Sequence, residues 1–189
     1  MTDSAVNPRL FTFVGGTVGA WSVMGIKAVV GDPLPLVESV DIKHGFVPVT
    51  SDDATWVLHG STSNGRYSTG AEHDLLVATQ AFLGRPEATL AALIPIKKTM
   101  AWWNLSQDER RRIFEKSSHH IKTGMKYLPA IARRLHHCRD LTEQSPFDFL
   151  TWFDYAPEHA PAFEELVAVL RTTEEWQFVE REVDIRLSR

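Results

Sequence analysis

The chain has 189 residues, 43% hydrophobic and 23% charged, and its 20 Lys and Arg against 24 Asp and Glu leave a net charge of -4. That balance is ordinary for a folded globular protein and offers no basic field for phosphate backbones, so nucleic acid is not expected as a partner. The single cysteine, Cys138, excludes a disulfide framework, a multi-cysteine zinc site and an iron–sulfur cluster, whereas six Trp, ten Phe and eight His are a surplus of flat rings and nitrogen ligands suited to a large planar cofactor.

The opening, MTDSAVNPRLFTFVGGTVGAW, is acidic rather than basic and has no uninterrupted apolar core before a cleavage site. No stretch approaches the roughly 20 apolar residues that cross a bilayer. A cytoplasmic protein without a membrane span is expected. LFTFVGG (10–16) and ATWVLHGS (54–61) read as strands, and AEHDLLVATQAFLG (71–84) as a helix ended by Gly84.

From Ile94 the pattern sharpens. IPIKKTMAWW (94–103) is apolar and aromatic, a strand leading into a turn. Ser106 with Glu109 three residues later is a capping-box pattern, opening a helix through QDERRRIFEKSSHHIKT that stops at Gly124. Pro129 disfavours continuing it, so PAIARRLHHC (129–138) reads as a strand, with a helix as the alternative. After the turn RDLTEQSP, the aromatic FDFLTWFDYA (147–156) is a buried strand. PEHAPAFEELVAVLRTT (157–173) is a helix with Phe163, Leu166, Val167 and Leu170 on one face. In FVEREVDIRL (178–187), Val179, Val183, Ile185 and Leu187 alternate with Glu180, Glu182, Asp184 and Arg186, the pattern of a half-exposed strand. This order is the split β-α-β, or ferredoxin-like, unit. The expected architecture is α+β: a shortened N-terminal copy over 1–91 and a complete C-terminal copy over 92–189.

Several side chains in the second half could carry chemistry. Adjacent helical residues point about 100° apart, so one of His119 and His120 can face the interior while the other faces water. Either of Glu174 and Glu175 matters if it turns inward, because a carboxylate that accepts the ring N–H of a ligating histidine fixes its orientation. Arg133 or Arg134 in an apolar pocket would stay protonated and anchor a small oxyanion. Lys98, Trp102 and Trp103 share one segment, where the amine could hold a carboxylate. Taken singly, each is more commonly a surface or packing residue, and a metal site from His119, His120, His136 and His137 needs a convergence that spacing does not guarantee.

Together these runs, ALIPIKKTMAWWNLSQDERRRIFEKSSHHIKTGMKYLPAIARRLHHCRD and PFDFLTWFDYAPEHAPAFEELVAVLRTTEEWQFVEREVDIRL, resemble the chlorite dismutase family, in particular its short, dimeric, cytoplasmic branch. Thinner similarity extends through SNGRY, ending at Tyr67, and the run ending at Ile96. The resemblance implies a fold of dimeric α/β-barrel type and a haem b enzyme that converts chlorite to chloride and dioxygen, acting on small anions as a homodimer. It implies His120 as the iron ligand, Glu175 as its carboxylate partner, and Arg133 as a distal residue that retains hypochlorite formed on the way. It further implies Gln80 as the residue holding Arg133, Lys98 and Tyr67 near the haem propionates, and Trp102 and Trp103 around the pocket. Alternatives are coproheme decarboxylation, a peroxidase-like reaction, or haem binding without turnover. The decarboxylases are longer and generally lack an arginine at the position of Arg133. The turn at 140–146 is about two residues longer than the family pattern, a surface difference. Thirteen residues of unbroken helix would separate His120 from Arg133 by about 20 Å, so the chain is expected to bend between them, at Gly124 and Pro129.

Overall fold

The computed structural model describes residues 7–47, 54–62 and 66–189; the acidic opening at 1–6 and the first three residues of SNGRY lie outside them. Eight antiparallel strands close into a barrel: β1 (Leu10–Gly16), β2 (Trp21–Val30), β3 (Ser39–His44), β4 (Ala54–Ser61), β5 (Leu90–Lys98), β6 (Ile131–His137), β7 (Phe149–Tyr155) and β8 (Val179–Ser188). Around the ring the order is β1-β3-β2-β8-β5-β7-β6-β4. Phe13, Leu58, Leu93, Leu150, Trp152 and Ile185 fill the interior. Alternate residues of the C-terminal strands, among them Ile94, Ile131 and Phe153, form a second core against α5 (Ala160–Leu170) on the outside.

α5 buries Phe163, Leu166, Val167 and Leu170, as its period requires, after one 3-10 turn at Pro157–His159. β2 and β3 are additions to the sequence reading. Register shifts between Val23 and Gly25 and between Ala28 and Val30 interrupt β2, so its apolar residues lose the period of two that marks a strand. β5 is followed by the short helix α2 (Met100–Asn104), capped by Thr99, where a turn was expected. α1 (Gly70–Thr79) ends at Gln80 rather than Gly84, which instead takes a positive φ of 79° in the following loop.

β8 departs most from its pattern. Glu182 and Asp184 do not face water but are 0% and 5% exposed. Arg171 at the end of α5 reaches both, at 2.6 and 2.7 Å, and the Trp176 indole donates to Glu182 at 2.8 Å. Arg186 pairs with Asp184 and Glu164. The alternation of charged and apolar residues therefore marks two buried faces, one of them ion-paired.

The helix expected over 107–123 is broken. α3 (Gln107–Arg111) opens with the Ser106–Glu109 capping box, and Ser106→Ala should cost about 1 kcal/mol in denaturant unfolding. One π-helical turn, Arg112–Ser117, follows, and its extra residue shifts the register. His119 then adopts left-handed geometry at φ 50°, a region that His enters more readily than most side chains, and α4 (His120–Met125) begins. The Glu115 carboxylate caps α4, accepting from the backbone N–H of Ile121 at 2.7 Å and of Lys122 at 3.3 Å. Gly124, expected to stop the helix, lies inside α4, so the bend toward β6 falls after Met125.

Candidate functional site

A cavity of about 240 Å³ opens between the outer face of β5, β6 and β7 and the helical layer of the second half. Ile94, Ile96, Leu135, Thr151 and Phe153 form its sheet wall, and Phe114, His120, Ile121 and Val167 its helical wall. Strand alternation separates the two arginines of β6. Arg133, Leu135 and His137 line the cavity. Arg134 and His136 point into the barrel, where the Arg134 Nε donates to His136 Nε2 at 3.1 Å and its guanidinium lies over the Phe11 ring.

The left-handed turn at His119 leaves that ring exposed and directs His120 inward. The His120 imidazole stacks on Phe114, with ring centroids 4.4 Å apart, and its Nδ1 donates to Glu175 Oε2 at 2.7 Å. Nδ1 is thereby the protonated nitrogen, and Nε2 keeps its lone pair. Glu175 is 4% exposed and Glu174 is only partly buried, so it is the second carboxylate that turns inward. Its other oxygen, Oε1, accepts from Lys98 Nζ at 2.8 Å, and its backbone N–H donates to Ser118 Oγ at 3.0 Å. Burial alone would raise the Glu175 pKa, but His120 and Lys98 outweigh it and hold the carboxyl down at about 2. Lys98, expected near propionates, is thus committed to the carboxylate behind the histidine, between the Trp102 and Trp176 rings at 4.8 and 5.4 Å.

Arg133 is the opposite case. Its guanidinium forms no hydrogen bond or ion pair among the described residues, and burial lowers its pKa without removing its charge. Gln80 donates to the Arg133 main-chain carbonyl at 2.9 Å, fixing the strand rather than the side-chain tip. Tyr67, at a positive φ of 62°, lines the cavity with its hydroxyl 3.3 Å from Arg110 Nη1, and Trp102 is 1% exposed with its indole N–H unpartnered among the described residues. Trp103 stands off the cavity, donating to Asp148 at 3.1 Å and stacking on Phe149. Among the described residues no three His, Cys, Asp or Glu side chains converge as a metal cage, which removes the four-histidine arrangement.

The cavity thus brings together His120, backed by the buried carboxylate of Glu175, and the uncommitted guanidinium of Arg133. The family model for chlorite dismutase matches residues 50–189. The chain belongs to the chlorite dismutase family. It is similar to the dimeric chlorite dismutase of Nitrobacter winogradskyi, at 56% identity and a TM-score of 0.87, covering 95% of this chain and 99% of that one. The chlorite dismutase of Candidatus Nitrospira defluvii in complex with imidazole shares the fold at 17% identity and a TM-score of 0.69, covering 95% and 91%. A curated chlorite dismutase of Ideonella dechloratans is 34% identical over 64 residues, 34% of this chain, and the chain spans only 20% of that relative's length.

Against this family background, four contributors to the site were not read from sequence: Ser118, Glu115, Phe114 and His137. The first three had no signal, because their roles follow from the π-helical turn. His137 had one in retrospect, since it shares the strand face of Arg133 at i+4. It is 3% exposed, with Nδ1 unpartnered among the described residues. Burial, with the charge of Arg66 adding, lowers its pKa to about 4 despite Asp140; burial likewise takes His136 to about 3. Both rings are neutral in the folded chain and protonate in the unfolded chain below about 6.5. Their contribution is complete above that pH and is lost as pH falls toward 4 and 3. Unfolding free energy should therefore decline from about pH 6.5 downward, by up to about 1.4 kcal/mol per pH unit per histidine. Urea unfolding from pH 7 to pH 4 checks this, and His136→Gln should flatten the slope. No helix among the described residues is long and apolar enough to cross a membrane.

Proposed function

We propose that the protein is a haem b enzyme that converts chlorite to chloride and dioxygen. The observation that carries this reading is that one apolar cavity is lined by both His120, with a free Nε2, and Arg133, with an uncommitted guanidinium. The residues fit the group. A flat porphyrin matches a slot walled by Phe114 and Ile121 on one side and Ile94, Ile96 and Phe153 on the other, and the unpartnered Trp102 indole N–H suits an acidic edge. Bound haem would supply the iron redox chemistry that cleaves and forms bonds to oxygen.

His120 would hold the iron through Nε2. Glu175 accepts the hydrogen bond from Nδ1–H and so strengthens donation from the opposite nitrogen, while Lys98 keeps the carboxylate ionised. Arg133 attracts and orients the chlorite anion and retains charged fragments in a cavity whose apolar walls exclude water. Their local concentration then favours recombination over escape. Gln80 steadies the strand that carries Arg133. Tyr67 and Trp102 would hold the cofactor's carboxylates; Lys98 holds Glu175 at the cavity wall, and Trp103 packs off the cavity.

Assembly and setting complete the reading. The extensive identity with the dimeric Nitrobacter winogradskyi enzyme supports a homodimer. The four N-terminal strands and the four C-terminal strands each run last-first-third-second around the ring, which supports two ferredoxin-like units, the first without helices between its strands among the described residues. The two units would be 1–91 and 92–189, a boundary close to the start of β5 at Leu90. A single buried, unpaired cysteine is in keeping with a cytoplasmic setting.

The test is an oxygen-electrode assay of haem-loaded protein with chlorite. Dioxygen and chloride should appear in equal amounts as chlorite is consumed. Consumption without dioxygen, or turnover of coproheme with peroxide in its place, would overturn the reading.

A further inference from the structure

We infer that Gly124 is the seat of the Arg133 guanidinium, a positioning residue that sets where the free positive charge of the cavity stands. A Cβ built on Gly124 would fall 2.0 Å from Arg133 Nη1, 2.9 Å from Cζ and 3.0 Å from Nη2. All three nearest atoms belong to one guanidinium.

Three observations make this contact the reason for the glycine. Gly124 sits within α4 with ordinary helical backbone rather than a positive φ, so conformation does not require it. Alanine is the better helix former there, by about 1 kcal/mol. Gly124 also follows His120 by four residues, which puts it one turn along the same helix face. Finally, the guanidinium has no acceptor among the described residues, so nothing but packing locates its tip. The main chain of Arg133 is held separately, by its ladder pairing with Phe153 and by Gln80. One end is fixed by hydrogen bonds and the other by a surface that only glycine leaves open. A methyl group at 124 would meet the end of a flexible side chain, not backbone, so the expected response is a displaced guanidinium and an intact fold.

This rests on reading Arg133 as the residue that orients an oxyanion, and the experiment separates the two. Nitrite is titrated into ferric, haem-loaded protein and followed by absorbance, for the wild type, Gly124→Ala, Arg133→Leu and the double variant. Gly124→Ala should weaken nitrite binding by about tenfold, toward the level of Arg133→Leu, and should add nothing when Arg133 is already leucine. Wild-type affinity in Gly124→Ala beside a weakened Arg133→Leu would overturn the seat alone. So would an equal loss from Gly124→Ala in both backgrounds. Wild-type affinity in Arg133→Leu would overturn the oxyanion role and leave the seat without purpose. If Gly124→Ala does not fold, a folded double variant supports the contact, whereas failure of both assigns the glycine to helix packing and overturns the proposal.

Discussion

Replacing Glu175 with alanine should lower the stability of the apoprotein by about 3–5 kcal/mol. The carboxylate is buried, and both its oxygens are engaged, by Lys98 at 2.8 Å and His120 at 2.7 Å. Its removal leaves the Lys98 ammonium, 4% exposed, without a counter-charge. Denaturant unfolding of the two apoproteins checks the loss. Glu175→Ala combined with Lys98→Met should recover most of it, because an apolar side chain needs no partner there. The double variant does not restore an acceptor for His120 Nδ1, so haem affinity should stay reduced by about 10–100-fold in both variants. An unchanged unfolding free energy in Glu175→Ala would mean that the ion pair contributes nothing to the fold.

Arg133→Ala should keep its haem and its fold while losing about 10²–10³ of chlorite turnover, the usual scale for removing a preorganised electrostatic group. The side chain makes no hydrogen bond that the fold depends on, so this change isolates chemistry from stability, unlike the loss of Glu175. Oxygen-electrode rates, read together with a hypochlorite-trapping dye, measure both parts: slower dioxygen release and more escaped oxidant per turnover. Wild-type rates with unchanged leakage would remove Arg133 from the mechanism.

What the sequence made legible follows from which signals are local. The Ser106–Glu109 capping box, the apolar face of α5 and the strands β5 to β8 depend on neighbours within a few residues, and each is present. The site residues came from the resemblance; the structure brings His120, Glu175 and Arg133 to one cavity and pairs Lys98 with Glu175. The unread parts depend on distant contacts. Nothing near residue 112 announces a π-helical turn, and a glycine that makes room for an arginine nine residues later looks the same as one that ends a helix. Glu182 and Asp184 read as solvent-facing because their cation, Arg171, lies outside the strand.

The closure of the sheet bears on how copies of this chain meet. Among the described residues six of the eight junctions are ladders along most of their length, but β4 meets β6 only at Ser61–His137 and β2 meets β3 only at Trp21–Val40 and Ser22–Ser39, so these two seams keep backbone groups without a strand partner. A second copy that adds strand to strand has only those two seams to meet, since the laddered junctions leave it no unpaired row.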